Sequence, residues 1–133
     1  MAHDSIPDTH LDLLNEGFAT LATVGDDGYP QVSEVWFLAE GDRVAFSLNT
    51  SRQKVKNLMT EPNCTVMLLD LANPYRYLEI RGTADITPDD DYAFADAVGK
   101  KYGSDLRVHD LPDDRRVAVR VVPVRINAVD MSA

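Results

Sequence analysis

The tetrapeptide Gly25-Asp26-Asp27-Gly28 lies between two apolar runs, Phe18 to Val24 and Gln31 to Leu38, and this arrangement constrains the fold more than any other. An Asp-Gly step accepts the positive φ of a tight turn, so the two runs read as neighbouring antiparallel strands. Glu40-Gly41-Asp42 turns the chain again. In the third strand Val44, Phe46 and Leu48 alternate with Arg43, Ala45 and Ser47, the period of a half-buried strand. Cys64 to Leu69 is a continuous apolar run that reads as a central strand. In Tyr77 to Thr87, Leu78, Ile80, Ala84 and Ile86 share a face, and Gly82 predicts a bulge or a close backbone approach. Arg116 to Val129 reads as a final strand, with Pro123 implying an edge or a bulge.

Helical signals separate these strands. Residues 1–6 are expected to be a flexible tail. Ser5-Ile6-Pro7-Asp8 predicts a helix start, with Leu11, Leu13 and Leu14 as its apolar face and Gly17 as its stop. A short helix follows Thr50 or Ser51 as cap, turns Val55, Leu58 and Met59 to the core, and closes at Pro62. Thr87-Pro88-Asp89-Asp90-Asp91 predicts the start of a longer helix carrying Ala93, Phe94, Ala97, Val98 and Tyr102 at helical spacing. Asp105 to Asp114 is a polar connection. Hairpin links make the sheet largely antiparallel, and six strands with a long helix suit a small barrel, closed to suppress sheet edges. The 133 residues fit one domain, 1–133, with a modest core.

Charge and composition narrow the function. With 22 Asp+Glu against 13 Lys+Arg the net charge is -9, which argues against nucleic acid and anionic membranes as partners. No apolar run approaches the roughly 20 residues of a membrane span, and the N-terminus lacks signal-peptide character. The single Cys64 forms no internal disulfide and reads as a core residue; the expected location is the reducing cytoplasm. His3, His10 and His109 are scattered, read as surface residues, and have no zinc-ligand spacing, so no metal site is expected. Dinucleotide, Walker and Gly-x-Ser-x-Gly motifs are absent from the sequence.

Against this acidic background Ser51-Arg52-Gln53-Lys54-Val55-Lys56-Asn57-Leu58 places three bases within five residues at a helix start. Unpaired N–H groups and the positive dipole end already favour an anion there, so Arg52, Lys54 and Lys56 make a candidate phosphate seat. Their alternation prevents all three from sharing one helix face.

Several segments, taken in order, resemble the pyridoxamine 5'-phosphate oxidase-like superfamily of flavin and deazaflavin oxidoreductases. Thr20-Leu21-Ala22-Thr23 with Gly28-Tyr29-Pro30-Gln31-Val32-Ser33 resembles its opening hairpin. Arg52 to Leu58 with Glu61-Pro62 resembles its phosphate-binding helix, and Tyr75 to Ala84 its glycine-interrupted strand. The resemblance implies a mainly β fold: a six-stranded antiparallel split β-barrel of Greek-key, FMN-binding type, with flanking helices. It also implies a cytoplasmic homodimer with the cofactor at the subunit interface.

The pattern Arg-x-Lys-x-x-Asn-Leu, lacking the adjacent Arg-Lys of FMN oxidases, resembles the group that uses coenzyme F420. The expected activity is hydride transfer from reduced deazaflavin to a small unsaturated substrate. The alternatives are an FMN-binding oxidase or flavin reductase of the same fold, or a flavin- or deazaflavin-binding protein without turnover.

On this resemblance Arg52 and Lys54 hold the phosphate, Lys56 serves the cofactor tail, and Asn57 lies beside them. Ser33 bonds the pyrimidine edge, while Ser47, Leu48 and Asn49 line the ring or ribityl chain. Val35 and Trp36 lie on the ring-binding strand, where packing is the favoured role of Trp36. Tyr75, Arg76 and Tyr77 enter from the partner subunit. Tyr75 and Tyr77 are weak proton-donor candidates, since a phenol of pKa about 10 is a slow acid; the catalytic group is otherwise unassigned. The loops at Leu71–Pro74 and 105–114 are expected to line the substrate.

Overall fold

The computed structural model describes residues 2–3 and 5–132, the first two by backbone alone. Among these are eight strands: β1 (Ala2–His3), β2 (Ala19–Val24), β3 (Pro30–Val35), β4 (Leu38–Glu40), β5 (Arg43–Asn49), β6 (Asn63–Leu69), β7 (Arg76–Pro88) and β8 (Arg116–Asp130). They form one sheet in the order β3-β2-β6-β7-β8-β5-β4, with β1 added against β8. Every ladder is antiparallel. Two α-helices, α1 (Gln53–Thr60) and α2 (Ala93–Tyr102), and two 3-10 helices, Asp8–Asn15 and Leu106–His109, complete the chain.

β3 and β4 occupy opposite ends of the sheet, yet only Trp36 and Phe37 separate them in sequence. Three peptide steps span at most about 11 Å, so the two edges lie near each other and the sheet curls into a split barrel. This crossing is why one expected strand, Gln31 to Leu38, is two. Up to Val35 the chain pairs with Ala19 of β2; from Leu38 it pairs with Ala45 of β5. Phe37 leaves both ladders and buries its ring in the core. Its backbone finds partners on α2: its N–H donates to Tyr102 Oη at 3.0 Å, and its carbonyl accepts from Lys101 Nζ at 2.9 Å. A buried backbone group must be paired somewhere, and here a helix end replaces a strand.

The expectation of a flexible tail over residues 1–6 gives way at Ile6, which is 5% exposed and belongs to the core. Ala2–His3 pairs with Asn127 and Ile126 and supplies the second strand beyond the six expected. The predicted N-terminal helix is a 3-10 segment that begins at Asp8 rather than Ser5. His10 is buried rather than superficial, with Nε2 3.0 Å from the Val129 carbonyl.

The remaining strands lie close to their predicted bounds, whereas α2 begins at Ala93 rather than at the predicted Thr87, because β7 continues through Pro88. Leu21, Phe46, Val66, Leu68, Leu78 and Ile80 fill the barrel. On β6 only Cys64, Val66 and Leu68 face inward, so a run apolar throughout is used on alternate positions. Gly82 and Pro123 meet at one bulge, where Val124 has no opposite residue. A Cβ at Gly82 would lie 2.4 Å from the Val122 carbonyl oxygen, so the close approach needs glycine. The Asp89 carboxylate accepts from the N–H groups of Phe94 and Ala95 at 3.0 and 2.8 Å and so caps α2, whereas Pro88 ends β7.

Candidate functional site

The candidate site forms where β5 ends, the chain turns into α1, and β8 begins. Asn49 pairs with Arg116 across the β5–β8 ladder. The chain then reverses through Thr50 and Ser51, and Arg52 stands extended just before α1. Neither expected cap serves α1. Ser51 Oγ donates to Asn49 Oδ1 at 2.6 Å, Thr50 Oγ1 accepts from the Arg115 N–H, and no side chain caps the helix. Val55 and Leu58 anchor α1 in the core, whereas Met59, expected inward, is exposed.

Beside this turn lies a cleft of about 310 Å³ lined by Glu34, Val35, Trp36, Ser47, Leu48, Asn49, Arg52, Lys54, Leu106, His109 and Arg116. Thus Ser47, Leu48, Asn49, Arg52 and Lys54, picked out from the sequence, meet at one surface. Arg52 and Lys54 have no carboxylate partner among the described residues. Burial holds the Lys54 ammonium below the usual lysine pKa, and the neighbouring Arg52 charge lowers it further. Among the described residues Ser47 Oγ is buried without a hydrogen-bond partner. Two uncompensated cations and an orphan hydroxyl suit a ligand with an anionic oxygen-rich arm, because it would supply the missing acceptor and charge.

Arg116 lines the same cleft but is spent within the protein. Its side chain and that of Asp110 are each 5% exposed, and they form an ion pair. Arg116 also donates to the carbonyls of Ser47 and Leu106 at 3.3 and 3.1 Å. Asp110 accepts further bonds from Asn49 Nδ2 at 3.0 Å and Tyr92 Oη at 2.6 Å. Burial pushes the Asp110 carboxyl up, but the bonds from Tyr92, Arg116 and Asn49 outweigh it and hold the group below the usual carboxylate range. This network fixes the Leu106–His109 turn against the end of β5 and so shapes one wall of the cleft.

Other predicted site residues lie apart from the cleft. Lys56 is exposed and, two positions on from Lys54, points about 200° around the helix. Asn57 is buried; its Nδ2 donates to Thr23 Oγ1 and Gln31 Oε1 at 3.0 and 3.1 Å, and its Oδ1 accepts from Gln53. It docks α1 on the first hairpin. Ser33 lies on β3 opposite buried Leu21, two residues before the cleft-lining Val35. Tyr75 (60% exposed), Arg76 and Tyr77 sit at the far end of the β7–β8 ladder, where Arg76 pairs with Asp130. The Arg76 guanidinium is held by Asp12 at 2.5 Å and Asp70 at 3.0 Å, and these bonds raise its pKa.

Glu34, Leu106, His109 and Arg116 complete the lining. Leu106 and His109 fall in the 105–114 connection expected beside the substrate, whereas Glu34 and Arg116 had no separate sequence signal, because the ladders that place them are long-range. A larger depression of about 530 Å³ lies over β2, β6 and β7 and includes Val24, Pro30, Cys64 and Val124. Its one charged side chain is Arg81, so the uncompensated charge points to the smaller cleft. Cys64 is buried, and that burial pushes its thiol up to about 11, far from a reactive thiolate. Among the described residues no cluster could hold a metal ion, and no helix is long and apolar enough to cross a membrane.

A family model described as pyridoxamine 5'-phosphate oxidase matches residues 6–130. The solved structure of an F420 reductase is 36% identical, with a TM-score of 0.79, covering 92% of this chain and 98% of that one. A conserved hypothetical protein, Rv2991 from Mycobacterium tuberculosis, is 23% identical with a TM-score of 0.77, covering 94% and 85%. General Stress Protein 26 from Bacillus anthracis is 20% identical with a TM-score of 0.68, covering 89% and 88%. The last two share the fold. No curated protein matches the chain.

Proposed function

Because the chain belongs to the pyridoxamine 5'-phosphate oxidase family, we propose that it is a coenzyme F420-dependent reductase acting on a small unsaturated organic substrate. The observation that carries this reading is the pair of uncompensated cations, Arg52 and Lys54, at the cleft beside the orphan Ser47 hydroxyl. The similarity to an F420 reductase favours the deazaflavin over FMN.

Bound there, the reduced deazaflavin would supply hydride to the substrate. Arg52 and Lys54 grip its phosphate, with charge-assisted bonds stronger than neutral ones. Ser47 Oγ donates to the ligand and ends its own isolation. Leu48 and Val35 give the ring an apolar wall. Asn49 acts indirectly, since its side chain is engaged by Asp110 and Ser51. Asn57 positions α1. Lys56 and Ser33 stand outside the cleft and would meet only those parts of the cofactor that extend beyond it.

In this proposal a second copy of the chain completes the site, bringing Tyr75 and Tyr77 toward the ring while Arg76 anchors their loop through Asp12 and Asp70. The exposed apolar side chains Val24, Val32 and Val124 support such a homodimer, which would cover them. The protein works in the cytoplasm, without nucleic acid or membrane partners.

Mass spectrometry of small molecules released from the purified protein tests the cofactor, with coenzyme F420 expected. Recovery of FMN instead would move the chain to the flavin reading. Titration of the Lys54→Ala variant with coenzyme F420 tests the seat, and unchanged affinity would overturn it. Binding without oxidation by any enone or quinone acceptor would leave a carrier protein.

A further inference from the structure

An aromatic nook adjoins the cleft. Phe18, Glu34, Val35 and Trp36 line about 180 Å³, and the last three also line the cleft. Trp36 is 39% exposed and Phe18 41%, so both rings present apolar surface to whatever enters the nook. The Trp36 ring is fixed: it stacks on Tyr102 with centroids 4.3 Å apart and planes 4° apart. Tyr102 Oη is itself held by the Phe37 N–H at 3.0 Å. A flat, immobile ring at the barrel crossing makes a preformed shelf, and offset stacking on such a shelf favours another flat π-system. The nook is smaller than the roughly 300–1,000 Å³ of pockets for drug-sized ligands, so it holds a ring system rather than a bulky molecule.

One charge faces the nook. The Glu34 carboxylate is oriented by Thr20 Oγ1, which donates to it at 2.7 Å. The cleft thus has two unlike ends: cationic at Arg52 and Lys54, apolar with a carboxylate rim at Phe18, Trp36 and Glu34. We infer that the second end is the acceptor site, that it takes a planar conjugated molecule against Trp36 and Phe18, and that Glu34 selects neutral or cationic acceptors over anionic ones. The inference rests on the reading of the cationic end as the cofactor seat. It adds Phe18, Glu34 and Trp36 as substrate-specificity residues.

Trp36 is the sole tryptophan of the chain and lines both the nook and the cleft, so the titration is run with coenzyme F420 already saturating the cleft and the residual quenching reports on the nook. The test titrates the full-length protein with hydroxymethyl anthraquinone as the neutral probe and anthraquinone monosulfonate as the anionic one. The neutral probe should quench Trp36 saturably. Phe18→Ala should weaken it by about tenfold without changing affinity for coenzyme F420. Glu34→Gln should tighten the sulfonate by roughly threefold and leave the neutral probe unchanged. Comparing each probe with itself removes the attraction of Lys54 for the sulfonate.

Absence of quenching, an unaltered neutral-probe affinity in Phe18→Ala, or an unaltered sulfonate affinity in Glu34→Gln would overturn the inference. The cofactor reading fails separately: quenching by the probes in a protein that binds neither coenzyme F420 nor FMN would keep the aromatic site and remove the cofactor seat. Lys54-dependent cofactor binding without quenching would do the reverse.

Discussion

Two cationic corners stand at opposite ends of the β7–β8 ladder, and the protein treats them differently. At one end Arg76 is clamped by Asp12 and Asp70 and accepted by the Thr9 carbonyl. It ties the N-terminal 3-10 helix to the β6–β7 loop, and its charge is answered within the fold. At the other end Arg52 and Lys54 face a cleft without a carboxylate partner, in a chain with 22 acidic residues. Leaving two like charges near each other raises the energy of the folded state, and desolvation of Lys54 adds to it. A compensated cation serves architecture. An uncompensated one beside an orphan hydroxyl serves a ligand. Arg116 shows that position in a cleft is insufficient: it lines the same cavity and belongs, through Asp110, to the first kind.

The comparison breaks most visibly at Asp110. The Asp110→Asn variant leaves Arg116 buried without its counter-charge and should lose about 3–5 kcal/mol in urea unfolding. A loss near zero would make Arg116 another free cation and erase the distinction. Next, Lys54→Met should weaken binding of the phosphorylated cofactor by roughly tenfold to a hundredfold, while the unliganded protein becomes slightly more stable; a titration paired with thermal melts reads both. A destabilised variant would mean that Lys54 has a structural partner after all.

Arg76→Met, at a largely covered corner where the guanidinium is shared by Asp12, Asp70 and the Thr9 carbonyl, should lower stability by about 1–2 kcal/mol. It should shift cofactor affinity far less than the Lys54 variant, as isothermal titration can check. The smallest effect is in pH. Lys54 is held below its unfolded pKa, so the cost of its charge is present at lower pH and fades as pH rises through the folded value. The stability gap between wild type and Lys54→Met should therefore close in alkali. Asp110 has the opposite sign: its contribution is present above about pH 4 and is lost as pH falls through its depressed folded value.

Local chemistry made much of this legible. The Asp-Gly turn and the glycine at position 82 each act through neighbours in sequence or through one steric demand, and each appears where expected. The alternation read in β5 holds only in part, because Ala45 is buried like Val44 and Phe46 and Leu48 is half-buried. The base cluster was visible because it contrasts with an acidic chain. The division of Gln31 to Leu38 was not, because it depends on which distant edge offers the next ladder. The burial of His10 and Asn57 was hidden for the same reason: their partners Val129, Thr23 and Gln31 are far away along the chain. Lys56 and Lys54 are equal as sequence and unequal in space, since two helical steps turn one of them outward.

By itself the amino-acid sequence determined the strands, their antiparallel sense, the bulge and the presence of a positive site at the start of α1. These follow from backbone sterics, side-chain period and local charge. Tertiary structure alone decided that the chain crosses from one sheet edge to the other at Trp36–Phe37, that Asp110 neutralises Arg116, and that Ser47 is left without a partner beside Arg52 and Lys54. Such outcomes depend on how distant segments are brought together, which holds even for Asp110 and Arg116, close in sequence but set against Asn49 and Ser47 of β5, and no local propensity encodes which of several possible partners a group will meet.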